Sequence, residues 1–158
     1  VLVLVPVRWG DQDPYGHVNN AQMLRILEEA RMRGIWGPSG AVTFDPGASD
    51  GRSDGQNRQD DMTVPRSINS NTMTVVARHE IDYLRPTMYQ LEPLQVEMKI
   101  TRLGGASIDM YYEVWPDDDR VGRPLVRAVS VFVLVSTKTG RSRRMSNSER
   151  EYFRRYMD

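Results

Sequence analysis

The chain has 158 residues with Lys+Arg 21 and Asp+Glu 21, which is about one domain by length and carries no net charge. The basic excess needed to neutralise a run of nucleic-acid phosphates is missing, and Cys 0 excludes disulfides, thiolate metal sites and a cysteine nucleophile. His 2 excludes a multi-histidine metal site within one chain, so oxygen and nitrogen groups must carry any chemistry.

The opening VLVLV before Pro6 is too short for a signal core or a bilayer span, and a soluble protein is expected. Val1 to Trp9 reads as a β-branched strand that ends where Gly10, Asp11, Asp13, Pro14 and Gly16 cluster as turn signals. Asn19 and Asn20 then precede a run without Pro or Gly, predicting a helix from about Asn20 to Trp36. Met23, Leu24, Ile26, Leu27, Ala30 and Ile35 cover about half of that helix, a face wide enough to need wrapping by a curved sheet. The segment at about 38–71 is rich in Gly, Ser, Asp, Asn and Pro, and reads as a lid or a mobile insertion. Strand character returns at Thr72 to Leu84, then at Leu94 to Leu103, Ser107 to Trp115 and Leu125 to Thr137. The last three, joined by short polar connections, predict an antiparallel meander. Ser146 and Glu149 form a capping-box pattern opening a last short helix. One helix after the first strand and a long antiparallel run argue for an α+β fold, the sheet curled around the helix, in a single domain over 1–158. Both faces of Val129 to Val135 are apolar, so the outer face is expected to be covered by a second subunit.

The stretch WGDQDPYGHVNN sets Asp11, Asp13 and His17 in a tight loop just before the helix. A helix start exposes unpaired N–H groups at its positive end, suited to a polarised carbonyl oxygen, and a carboxylate in the preceding turn could meet an acyl group held there. That pairing is the minimal set for acyl transfer. Asp and Asn in a Gly/Pro turn are also ordinary turn formers, and local chemistry alone leaves both roles open.

The loop resembles the signature of the hot-dog-fold acyl-CoA thioesterases of the 4-hydroxybenzoyl-CoA thioesterase type. The similarity continues through EEARMRGIW, EIDYLRPTMY, TRLGGASIDMYYEVW and TGRSRRMS, in order along nearly the whole chain. The resemblance implies a hot-dog fold, an acyl-CoA substrate, a homodimer or homotetramer and a cytoplasmic enzyme without a cofactor beyond the coenzyme A of its substrate. It puts the catalytic carboxylate on Asp13 and the carbonyl-polarising backbone N–H on Asn20. His17 falls where many relatives with a GHVNN string carry a histidine and where the aromatic-substrate branch has none. A thiolate leaves easily, so one carboxylate suffices, acting as nucleophile or as general base.

Other candidates have plainer roles beside their functional ones. Glu28 and Glu29 occupy the helix position that another branch of the fold uses for catalysis, yet their spacing pairs them with Arg31 and Arg33. His79 stands mid-strand without a partner constellation. Arg141, Arg143 and Arg144 are either a solvated turn or the arginines that hold the phosphates of CoA. Arg102 and Ser107 are at most pantetheine contacts, and of Tyr111 and Tyr112 one at most faces the helix. No metal-ligand spacing and no phosphate-binding glycine pattern occurs. Two alternatives stand beside the thioesterase: a hot-dog hydratase, whose G-D-x-N-P-x-H string GDQDPYGH matches loosely, and a non-catalytic acyl-CoA binding module, against which Asp13 argues.

Overall fold

The computed structural model describes residues 1–36, 71–116 and 120–157. The polar segment at 38–71 lies outside the described residues, Asn71 excepted. The strands β1 (Leu2–Val5), β2 (Thr72–Tyr83), β3 (Leu94–Leu103), β4 (Ser107–Trp115) and β5 (Val126–Ser136) form one antiparallel sheet in the order β1-β3-β4-β5-β2. Helix α1 (Asn20–Arg31) lies against its inner face, and α2 (Asn147–Arg154) follows β5. This is the α+β hot-dog arrangement, a curved sheet holding one long helix.

Alternation explains the sheet. Every second residue from Leu94 to Ile100, from Ile108 to Val114 and from Val126 to Leu134 is buried, which fixes the register of the three central strands against the helix. Met23, Ile26, Leu27 and Ala30 of α1 fill the space they enclose. Leu24, expected on that face, sits at its rim, 36% exposed.

Three boundaries differ from the sequence expectation. The first strand stops at Val5, because Pro6 has no N–H for the ladder, and Trp9–Asp11 closes into a 3-10 turn. The helix does continue to Trp36, but Met32–Trp36 winds as a wider π turn. A Cβ on Gly34 within that turn would lie 2.8 Å from both Val3 Cγ2 and Met98 Cε, so only glycine lets the backbone press this close to β1 and β3. Among the described residues β2 is an edge strand bonded to β5 alone, and Thr72 is the one residue in it that is buried. Its Val76, His79, Ile81 and Tyr83 continue the inner face, opposite Phe132, Ser130, Ala128 and Val126. On the outer face Val129, Val131, Val133 and Val135 are half-buried within the single chain.

The second helix closes one end of the core. Ser146 and Glu149 form the predicted capping box, Tyr152 donates to the Ile35 carbonyl at 2.6 Å, and Trp36 packs between Phe132 and Phe153 at centroid distances of 5.5 and 5.8 Å.

Candidate active site

The loop before α1 is a short hairpin bridged by Gln12 and Val18. Asp13, Pro14 and Gly16 occupy the first, second and fourth places of a β-turn, the places each prefers, and the turn closes with the Gly16 N–H on the Asp13 carbonyl at 3.1 Å. Gly16 holds a φ of +81°, which a side chain would strain. The Asp13 N–H in turn reaches the His17 carbonyl at 2.7 Å.

Within this frame the two oxygens of Asp13 are used differently. Oδ1 accepts from the backbone N–H of Tyr15 at 2.8 Å and of His17 at 3.0 Å, so it builds the turn. Oδ2 stands 3.6 Å from His17 Nδ1, beyond hydrogen-bond length, and remains available for chemistry. The turn-forming role that the sequence allowed thus occupies one oxygen of the side chain and leaves the other without a hydrogen bond among the described residues.

Helix α1 begins immediately after. Asn19 is its N-cap, its Oδ1 accepting from the Ala21 N–H at 2.9 Å, and among the described residues the N–H of Asn20 has no acceptor. Asp13, His17, Val18 and Asn20 line a pocket of about 420 Å³ together with Tyr83, Leu84, Arg85, Pro86 and Thr87. The structure thus brings the three predicted residues of the loop and helix start to one cavity. The 84–89 segment completes it by pairing with the loop: Val18 donates to the Thr87 carbonyl at 2.7 Å and Tyr89 to that of Gly16 at 3.2 Å. The Tyr83 hydroxyl donates to the Asn20 carbonyl at 3.1 Å. Nothing in the local sequence marks Tyr83, Arg85 and Thr87 as pocket residues, although the LRPT string that carries two of them lies in one of the stretches of resemblance.

Asp11, the other loop carboxylate, is only 4% exposed and accepts from the Arg8 backbone N–H at 2.8 Å and from its guanidinium at 2.9 Å. That commits it to holding the loop. Glu28 and Glu29 are paired as their spacing indicated, Glu28 between Arg25 and Arg31 at 3.4 Å each and Glu29 with Arg33 at 2.7 Å. His79 Nδ1 lies 2.7 Å from the hydroxyl of the buried Ser130, and burial followed by the nearby Arg31 charge pulls its pKa below the ordinary value, with Glu28 opposing. Tyr112 is fully buried, while Tyr111 faces outward and donates to Glu113 at 2.8 Å. Arg102 pairs with Asp109 at 2.9 Å on that outer side.

The three arginines after β5 are not equivalent. Arg143 is ion-paired with the fully buried Glu149, and its Nε donates to Thr72 at 2.6 Å. Arg141 and Arg144 are exposed. Because the Arg143 N–H bonds Leu134, the cluster sits at the far end of β5 from Val126, about 26 Å from the strand end beside Tyr83.

A model of the thioesterase-like superfamily matches residues 7–153. The protein YsmA of Bacillus subtilis (strain 168) is 27% identical over 147 residues, 93% of this chain and 80% of its own length. Among solved structures, YbaW of Escherichia coli, a probable thioesterase, superposes with a TM-score of 0.71 at 23% identity, over 99% of this chain and 98% of its own. A thioesterase from Thermus thermophilus, solved with coenzyme A and Zn, gives a TM-score of 0.65 at 27% identity, over 99% and 92% of the two chains.

Proposed function

The chain belongs to the thioesterase-like superfamily and is a thioester hydrolase, and from that premise we propose that its substrate is an acyl-CoA, cleaved to the free acid and CoA at the Asp13 pocket. The observation that carries the assignment is the division of labour in Asp13: one oxygen is spent on the turn, and the other is left beside a helix start whose first N–H has no acceptor among the described residues. In this reading the thioester carbonyl oxygen accepts from the Asn20 N–H, which makes its carbon electrophilic. Oδ2 of Asp13 then either attacks that carbon, expelling CoA thiolate and leaving a mixed anhydride for water to open, or takes a proton from a water that attacks directly. His17, with its ring beside Oδ2, positions Asp13 or the water. The thioesterase solved with coenzyme A supports a CoA ester as the substrate class.

The arginine cluster fits this reading through a second copy. Within one chain it lies at the opposite end of β5 from the pocket, but β2 offers a free edge among the described residues, and a two-fold partner with an antiparallel β2 brings its Thr72 end beside the Tyr83 end of the first. Arg141 and Arg144 then stand near the neighbour's pocket, where CoA phosphates need cations. We infer a homodimer on this ground, with the half-buried valines of the outer face as the site of further pairing into a homotetramer, and a cytoplasmic location as for the enzyme expected from the sequence.

The experiment is release of free thiol from a panel of short, medium, long and aromatic acyl-CoAs by the purified protein, with sedimentation velocity for the assembly. Hydrolysis of at least one member well above the spontaneous rate is expected. A folded protein that releases thiol from none of them overturns the assignment.

A further inference from the structure

The pocket contains a cation that the hydrolytic mechanism does not use. Arg85 lines it together with Asp13, His17 and Asn20, and no hydrogen bond or ion pair joins its side chain to a described residue. Its Nε and Nη2 are sealed from water and have no partner among the described residues. These two nitrogens form one edge of the guanidinium, the edge whose parallel N–H groups match the two oxygens of a carboxylate. Thr87, two residues on, is 6% exposed, lines the same cavity, and its Oγ1 also lacks a partner. Buried donors of this kind are nearly always satisfied in folded proteins, and a charged one left unpaired is costly.

We propose that Arg85 and Thr87 form a specificity subsite for an acyl group that carries its own carboxylate; this rests on the acyl-CoA reading of the same pocket. Three physical points lead there. The fork edge makes no hydrogen bond to a described residue, so turning it toward a ligand breaks none of those seen. Asp13 in the same cavity repels an incoming anion, and a carboxylated acyl group is accommodated only where a cation offsets that repulsion, which Arg85 supplies. A neutral alkyl chain would leave the guanidinium edge and the threonine hydroxyl unpaired, a loss that discriminates strongly between ligands of equal size.

The test compares succinyl-CoA with butyryl-CoA, which share a four-carbon acyl chain and differ in a terminal carboxylate against a methyl. Thiol release is measured with spontaneous hydrolysis subtracted. The parent enzyme should favour succinyl-CoA in kcat/KM by at least about 30-fold, and Arg85→Met should bring that ratio close to one. Arg85→Lys, which keeps the charge and loses the fork, should give an intermediate ratio. Thr87→Val provides a second variant should Arg85→Met fail to fold, and it should lower the ratio as well. A parent that prefers butyryl-CoA, or a ratio that Arg85→Met leaves where it was, overturns the subsite. If neither ester is hydrolysed, nor any other acyl-CoA, the hydrolase reading falls instead, and calorimetric binding of the two esters to the same proteins decides the subsite separately.

Discussion

His17 meets both oxygens of the Asp13 carboxylate: its backbone N–H donates to Oδ1 at 3.0 Å, while its ring Nδ1 stands 3.6 Å from Oδ2. The main-chain contact belongs to the turn, and the side-chain contact lies on the oxygen proposed to act on the thioester. An amide at position 13 can reproduce the first and not the second, because its oxygen still accepts two N–H groups while the other atom becomes a neutral donor.

Asp13→Asn should therefore keep the fold and lose the activity. A thermal midpoint close to that of the parent is expected, with thiol release down by about 1,000-fold or more, as when a nucleophile or base is removed. Asp13→Ala should lose the activity and also about 1–2 kcal/mol of stability in urea, since the N–H groups of Tyr15 and His17 lose their acceptor. Hydrolysis by Asp13→Asn at the parental rate would remove Asp13 from the mechanism.

Asn19 tests the helix start from the other side. Its side chain caps α1 through the Ala21 N–H, one residue beyond the N–H proposed to polarise the carbonyl. Asn19→Ala should cost about 1 kcal/mol by urea denaturation and lower kcat more than it raises KM, because the first turn is no longer held in place. Asn19→Asp, which keeps the acceptor, should restore both.

The parts of this molecule that were legible in its sequence are those governed by short-range rules. β3, β4 and β5 each bury one face against α1, so their alternation is strict and readable. The Asp-Pro-x-Gly turn and the Ser146 and Glu149 capping box follow from local hydrogen bonding. The π turn was not legible, because Gly34 is set by how closely Val3 and Met98 approach it across the core. Nor were Arg85 and Thr87, which join the Asp13 pocket through the pairing of the 84–89 segment with the loop, a contact between distant parts of the chain. A run of three arginines likewise says nothing of which one a buried glutamate has claimed.

That distinction among the arginines has measurable consequences. Glu149 is 0% exposed, so Arg143→Ala removes the countercharge from a buried carboxylate that keeps the Ser146 N–H, and should cost about 3 kcal/mol of stability by urea denaturation. Glu149→Ala should cost less at the pair itself, because the Arg143 side chain, 24% exposed, can turn toward water. Arg141→Ala and Arg144→Ala should leave the unfolding midpoint unchanged and weaken CoA binding in calorimetry, if these two hold the phosphates. Equal loss of stability in all three arginine variants would contradict the division.

His79 gives the protein a pH-dependent increment whose sign follows from its surroundings. Burial, then the Arg31 charge, lower its folded-state pKa below the unfolded value of about 6.5, and Glu28 compensates only in part. Ser130 and Tyr112, the other polar groups near this part of the inner face, carry no charge in that range. Between the two pKa values the unfolded chain binds a proton that the folded one does not, so stability falls as pH drops through the unfolded value and levels off below the folded one. Urea midpoints measured from about pH 8 to pH 5 should decline for the parent, and His79→Gln should flatten part of that decline. The difference between the two curves is the contribution of His79. Parallel curves would show that the His79 proton is bound equally in the folded and unfolded states, contrary to its burial and to the nearby Arg31 charge.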